Sequence, residues 1–243
     1  MKAYHRVIAF LFAGLLLSAC ATAPSYRANP QLTEKLEKTK SIMVVPLKTD
    51  VYQVNAGGVQ EKMDAWSSQA RNNVMTAIQD ELARKPMIFV KTFEETLLSD
   101  SQRANLEETR ALFDAVNYAI IVHTYGPPEL QFPGKISNFS YSMGKDVKAI
   151  SRDTDIMLFV SCSDQIATAG RKAVQAGSLI LGALVGVQMV PMYGMTTVSI
   201  ALVESDTGTI LWYNYHGSPG DHDLRDPINT TTLIKQLFKD FPM

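Results

Sequence analysis

Cysteine is almost missing from this chain: Cys20 and Cys162 are the only two in 243 residues. Two thiols cannot make the multi-bridge framework that staples small secreted domains. An excess of either charge is missing too, with 23 basic residues against 24 acidic ones. Nucleic-acid binders carry a basic surplus on one face, so no nucleic-acid partner is expected. None of the motifs G-x-S-x-G, H-E-x-x-H, the Walker loop or the dinucleotide fingerprint occurs, and no internal repeat is visible. The apolar share, 46%, is that of an ordinary globular chain, so a packed core is available.

What is present begins at the amino terminus. Lys2, His5 and Arg6 supply a positive start, and residues 7–17 are eleven positions without a charge. A charged start, a short apolar core and small residues before a cut describe a secretory signal. The core is well short of the roughly 20 apolar residues that span a bilayer. The run Leu17-Ser18-Ala19-Cys20 resembles the lipobox of bacterial lipoproteins. That resemblance implies cleavage before Cys20, diacylation of its thiol and acylation of the new amino group. Ala21 follows instead of an aspartate, which by the sorting rule of that class implies the outer membrane. Several acyl chains, each contributing about 0.8 kcal/mol per buried CH₂, give stable anchorage. Cys162 then has no disulfide partner and reads as a small buried strand residue. The chain divides into a signal peptide (1–19), a lipidated cysteine with its tether (20–40) and one periplasmic α/β domain (41–243).

Within that domain, residues 41–47 read as the first core strand. Apolar residues then recur at helical steps, Val59, Met63, Trp66, Ala70, Val74, Ile78 and Leu82, and Pro86 stops the helix. A short strand is expected over 87–91. A second helix covers 101–116, with Leu106, Leu112, Phe113 and Val116 turned inward. The apolar run 118–125 predicts a third strand, and the prolines at 127, 128 and 133 a loop. A helix is expected near 143–150 and a strand over 156–162. The segments 196–203 and 209–215, separated by Glu204-Ser205-Asp206-Thr207-Gly208, form the clearest hairpin, with Gly208 free to take positive φ. Asp226-Pro227 opens the last helix, aspartate as cap and proline in the first turn. Ile228, Leu233, Leu237 and Phe241 supply its apolar contacts. The fold class is α/β (α+β): a mixed sheet of about five to six strands with helices packed on it.

One segment stands apart. Residues 173–203 contain no charged residue. The first part, 173–190, is apolar on nearly every face if helical, a pattern of burial or of membrane contact. Gly182 and Gly186 stand at the G-x-x-x-G spacing that lets helices approach closely. Burial against the sheet, self-association and membrane insertion all fit. Leu179, Leu181, Gly182, Leu184 and Gly186 are the residues expected to meet a partner or a membrane. The best polar cluster is 220–226, where His222 sits among Asp221, Asp223 and Asp226. It could supply metal ligands, but a solvated loop feeding a capped helix explains it as well. His123 and His216 have no supporting neighbours in sequence, and Glu94-Glu95 and Glu107-Glu108 diverge on a helix surface.

The lipobox, VYQVNAGGVQEKMDAWSSQARNNV (51–74), DTDIMLFVSCSDQ (153–165), ALVESDTGTILWYN (201–214) and GDHDLRDP (220–227) together resemble a group of uncharacterised Gram-negative lipoproteins. The hairpin ending in D-T-G-x-I-L-W is also similar to the small α/β domain of the curli-secretion lipoprotein, the TolB amino-terminal domain and penicillin-binding-protein activator lipoproteins. The resemblance implies an envelope adaptor on the outer membrane, facing the periplasm, with no cofactor and no catalytic residue to transfer. The leading expectation is a non-enzymatic assembly or maintenance factor acting through contacts with envelope proteins or with itself. One alternative is an oligomeric pore or secretion component that places 173–190 in the membrane. The other is a hydrolase or metal-binding enzyme at His222.

Overall fold

The computed structural model describes residues 25–85, 89–184, 186, 194–220 and 222–242. The signal peptide, Cys20, Pro86, Met87 and Asp221 lie outside the described residues. The core is one seven-stranded mixed sheet in the order β1-β7-β6-β5-β2-β3, with β4 also paired to β2. Its long strands are β2 (Ser41–Val54), β5 (Ile156–Ala167), β6 (Thr196–Glu204) and β7 (Ile210–Ser218). Three short strands, β1 (Arg27–Ala28), β3 (Gln60–Lys62) and β4 (Phe89–Thr92), finish the edges. The count exceeds the five to six expected because two- and three-residue strands leave no periodicity to read.

The sheet is buried on both sides, and its strands are accordingly apolar runs rather than alternations. One face carries Ile42, Val44, Ile156, Leu158, Val160, Val198, Ile200 and Leu202. It packs on α2 (Asp64–Ala83) through Ala70, Val74 and Ile78, and on α6 (Pro227–Phe238) through Leu233, Ile234 and Leu237. The opposite face carries Met43, Val45, Met157, Phe159, Ala201 and Tyr213. It is covered by α3 (Asp100–Ile120) through Leu106, Phe113 and Ile120, and by Phe139, Met143, Val147 and Ile150 from the 139–150 connection. Phe113 meets Phe159 edge-to-face with ring centroids 5.5 Å apart, a favoured aromatic geometry.

Two irregularities adjust which side chains face which layer. The β2–β5 register shifts between Pro46 and Lys48, where proline cannot donate to the ladder. Beyond it the parity of β2 switches, so Val51 joins the same face as Val44. In the hairpin, Leu202 pairs with Trp212 but Val203 with Ile210. Leu211 is the extra residue of a bulge, and Leu211 and Trp212 both reach the first face. Gly208 has φ +70°, and a Cβ there would come 2.1 Å from the Gly144 carbonyl oxygen. The turn therefore demands glycine twice over, for its dihedral and for its close approach.

Two helix starts are fixed by side-chain caps, the one at Asp226 as the sequence suggests. Ser99 and Gln102 form a reciprocal capping box at α3, Gln102 N–H donating to Ser99 Oγ at 3.3 Å and Ser99 N–H to Gln102 Oε1 at 3.0 Å. Asp226 caps α6, accepting from the backbone of Ile228 at 2.7 Å and of Asn229 at 3.3 Å.

Several expectations need correction. Residues 118–125 are not a strand. They are the end of α3 and a π-helical turn over Ile121–Tyr125, held where Thr124 Oγ1 donates to the Ile120 carbonyl at 2.8 Å, and a short helix, α4 (Pro133–Ser137), follows. A short apolar run does not distinguish a strand from the buried end of a long helix. Val59 is not on the first helix but exposed in the turn before β3, and α2 begins at Asp64. Leu112 and Ile228 lie on the outer sides of their helices and are exposed. Residues 25–40, read as tether, join the folded body. Arg27-Ala28 pairs antiparallel with Tyr213-Trp212, and α1 (Leu32–Glu37) follows. Lys35 in α1 reaches Glu204 at 2.6 Å. The pairing of β1 with β7 also fixes a direction. Followed backwards from Arg27, the chain heads for the sheet end at which β7 stops and at which β5 gives way to its following helix.

Candidate functional site

That sheet end carries the most unusual element of the fold, α5 (Ala169–Leu184). Thr168 starts it: its N–H bonds the Val54 carbonyl at 2.9 Å, and its hydroxyl accepts from Arg171 N–H at 3.2 Å. The root of the helix is thus pinned between β2 and β5. On the return side, Gln165 N–H donates to the Met195 carbonyl at 3.1 Å and closes the excursion onto β6. Beyond its first turn α5 bears no charge, and none of its described side chains is buried. Ile180 is 64% exposed, Leu181 66% and Leu184 77%. Leu179 is half-buried, Gly182 lies within the helix, and Gly186 sits just beyond it at φ +74°. An amphipathic helix of a globular domain buries its apolar stripe; this one presents that stripe to the outside. Of the readings open for 173–190, packing against the sheet does not hold for the described residues 173–184. No helix among the described residues is long and apolar enough to cross a membrane.

Beside the root of α5 lies a polar cleft of about 390 Å³, lined by Gln165, Ala167, Lys172, Gly220, His222 and Asp223 among others. Just before Gln165 in β5 stands Asp164, a buried carboxylate that accepts from Thr196 Oγ1 at 2.8 Å and from Leu224 N–H at 3.0 Å. Burial raises the Asp164 pKa above the usual carboxylate range, against the opposing pull of those two hydrogen bonds. Asp223 is engaged by Arg225 through Nε at 2.9 Å and Nη2 at 2.7 Å. Burial pushes Asp223 up, but the hydrogen bonds and charge of Arg225 outweigh it and hold the carboxyl low. Arg225 in turn stacks on Trp66, 4.2 Å from the ring centroid.

His222 meets His216 edge-on, with ring centroids 4.9 Å apart, and its carbonyl accepts from Thr196 Oγ1 at 2.9 Å. Among the described residues no group of three His, Cys, Asp or Glu side chains is placed to hold a metal ion. The structure thus brings His222 and Asp223 to one cleft, with Asp223 committed to Arg225, and puts Asp226 to work as a helix cap. His123 is far in sequence from both, against Phe132 at 4.6 Å between centroids. Cys162 is fully buried in the sheet. The organising residue that sequence reasoning missed is Asp164. Its only signal was a single charged residue late in a strand that is otherwise uncharged.

No family model matches the chain, and no curated protein matches it. Among solved structures it is similar to the LpoB C-terminal domain from Salmonella enterica, at 12% identity, covering 79% of this chain and 95% of that one with a TM-score of 0.26. It is also similar to the PelC dodecamer from Paraburkholderia phytofirmans, at 9% identity, covering 88% of this chain and 91% of that one with a TM-score of 0.32. Both scores are too low to fix a shared fold, and the architecture rests on the sheet described above.

Proposed function

We propose that the protein is a lipoprotein of the Gram-negative envelope, anchored in the outer membrane through Cys20, whose periplasmic domain is a non-enzymatic adaptor acting through protein contacts. The observation that carries this reading is α5. A helix apolar and uncharged beyond its first turn, with Ile180, Leu181 and Leu184 in the open, is a surface built to be covered, because exposed apolar stripes of this kind mark interaction sites. The mixed α/β body is its rigid mount. Thr168 and the Gln165–Met195 bond hold the two ends of the excursion side by side.

The test is photo-cross-linking in intact cells from a reactive residue placed at Leu181. Capture of an envelope protein, or of a second copy of the chain, supports the adaptor. An adduct spectrum without any protein overturns it. Mass spectrometry of the native amino-terminal peptide checks the anchor independently, and an unmodified Cys20 removes the address.

A further inference from the structure

The first described residues lie against a second exposed apolar feature. Arg27 reaches across from β1: its Nη2 donates to the Thr124 carbonyl at 2.6 Å, and its guanidinium sits 4.5 Å from the Tyr125 ring centroid. Two residues further, Asn29 Nδ2 donates to the Phe139 carbonyl at 3.1 Å. The first folded residues are therefore fastened to both ends of the connection 126–138. That connection is a stiff lip. It holds Pro127, Pro128 and Pro133, and it is folded back on itself where Gln131 Nε2 donates to the Gly126 carbonyl at 2.6 Å. Phe132 N–H donates to the His123 carbonyl at 3.0 Å. At its crest Leu130 is 50% exposed and Phe132 54%. Glu129 is the single charge between Gly126 and Gly134.

The covalent chain sets the distance to any lipid on Cys20. Six residues separate Cys20 from Arg27, and fully extended the seven Cα steps between them span at most about 25 Å. Arg27 itself touches the residues that open the lip. We infer that the lip, with Leu130 and Phe132 at its crest, rests on the lipid layer that holds the anchor and sets the orientation of the domain on it. This inference rests on the lipidation of Cys20 in the function proposed above. Apolar and aromatic side chains on a rigid loop fit the headgroup boundary, where a ring is shared between acyl chains and water. Lipid is favoured over a protein occupant because the chain's own attachment point brings lipid, and not any particular protein, within reach of this loop.

The experiment uses the native lipoprotein with Phe132→Cys, labelled with a polarity-sensitive dye and reconstituted in vesicles of phosphatidylethanolamine and phosphatidylglycerol. Cys162 is buried and does not compete for the label. Leu130→Cys is a second position on the lip. Leu97→Cys is the control: Leu97 is exposed just before α3, a 21-residue helix that spans about 30 Å between it and the lip. The expected result is blue-shifted emission at 132 and 130, lost when brominated lipid replaces part of the bilayer, with no change at 97. A lipidated chain whose dye at 132 and 130 behaves like that at 97 overturns the inference. So does a blue shift that appears only when envelope proteins are added, which gives the lip to a protein. Mass spectrometry of the same sample separates the two failures. A lipidated Cys20 with a silent lip overturns the lip alone, and an unmodified Cys20 overturns the anchor and the lip together.

Discussion

The Asp164 carboxylate accepts the backbone N–H of Leu224 at 3.0 Å, across 60 positions of sequence. The same carboxylate takes the Thr196 hydroxyl at 2.8 Å. One buried acid thereby ties the end of β5, the start of β6 and the approach to α6 into one corner. Its setting gives it a definite pH signature. Burial raises its pKa in the folded state, whereas in the unfolded chain an aspartate titrates near ~3.9. The folded form thus binds the proton more tightly, and its contribution to stability is full below the unfolded value and lost as pH rises through the folded one. The expected outcome is that the stability margin of the parent over Asp164→Asn, measured by urea unfolding, shrinks between pH 4 and pH 7. A margin that grows over that range contradicts this account of the corner.

Gly208 offers a sharper structural test. Its φ of +70° and the 2.1 Å separation that a Cβ would have from the Gly144 oxygen both oppose any side chain. Gly208→Ala is expected to destabilise the domain by about 2 kcal/mol or more, combining the left-handed penalty with displacement of the neighbouring loop. Thermal unfolding of the two chains decides it. An unchanged midpoint would show that the 144 loop yields at no cost.

Cys162 should be chemically silent while the domain is folded. Burial, with the charge of Asp164 adding to it, pushes its thiol up to about 12, so almost no thiolate exists at pH 8. Modification by a thiol reagent is expected to follow the rate or extent of unfolding rather than the intrinsic rate of a free cysteine. Fast labelling of the folded protein at pH 8 would contradict the burial.

The helix assigned to partner contact makes the opposite kind of prediction. Leu181→Gln together with Leu184→Gln changes residues that are already in the open. The effect on unfolding free energy is expected to stay within about 0.5 kcal/mol, while cross-linking from a probe at Ile180 falls. A large loss of stability would mean that α5 is packed within the domain and is not a contact surface.

Much of the frame was legible in the residues themselves. The hairpin, the Asp226 cap, the glycine turn and the strand through Cys162 each carry a local signal that agrees with the final packing. What was not legible had physical reasons. The run 118–125 has the composition of a strand, and only the capping box at Ser99 together with an uninterrupted α3 decides for helix. Val59 and Ile228 match helical spacing, yet periodicity says nothing about where the helix begins or which side turns outward.

At the candidate site the balance is different. The absence of charge after Lys172 marked α5 as special, but composition alone could not separate burial from display. That choice is made by the tertiary layers: α2 and α6 cover one face of the sheet, and α3 with its connection covers the other. Asp164 was invisible for the converse reason, since its partners come from segments far away in sequence.

The antiparallel seating of Arg27-Ala28 on Tyr213-Trp212 has a consequence for how such a molecule would search. On the lipid anchor proposed above, a leash that runs from β1 toward the sheet end bearing α5 would hold that helix on the bilayer side of the domain. Encounters there would become two-dimensional, and the effective concentration of anything sharing the membrane would rise without a single added contact. Reversing the direction of that exit, by circular permutation, would turn α5 away from the bilayer and dilute the encounter.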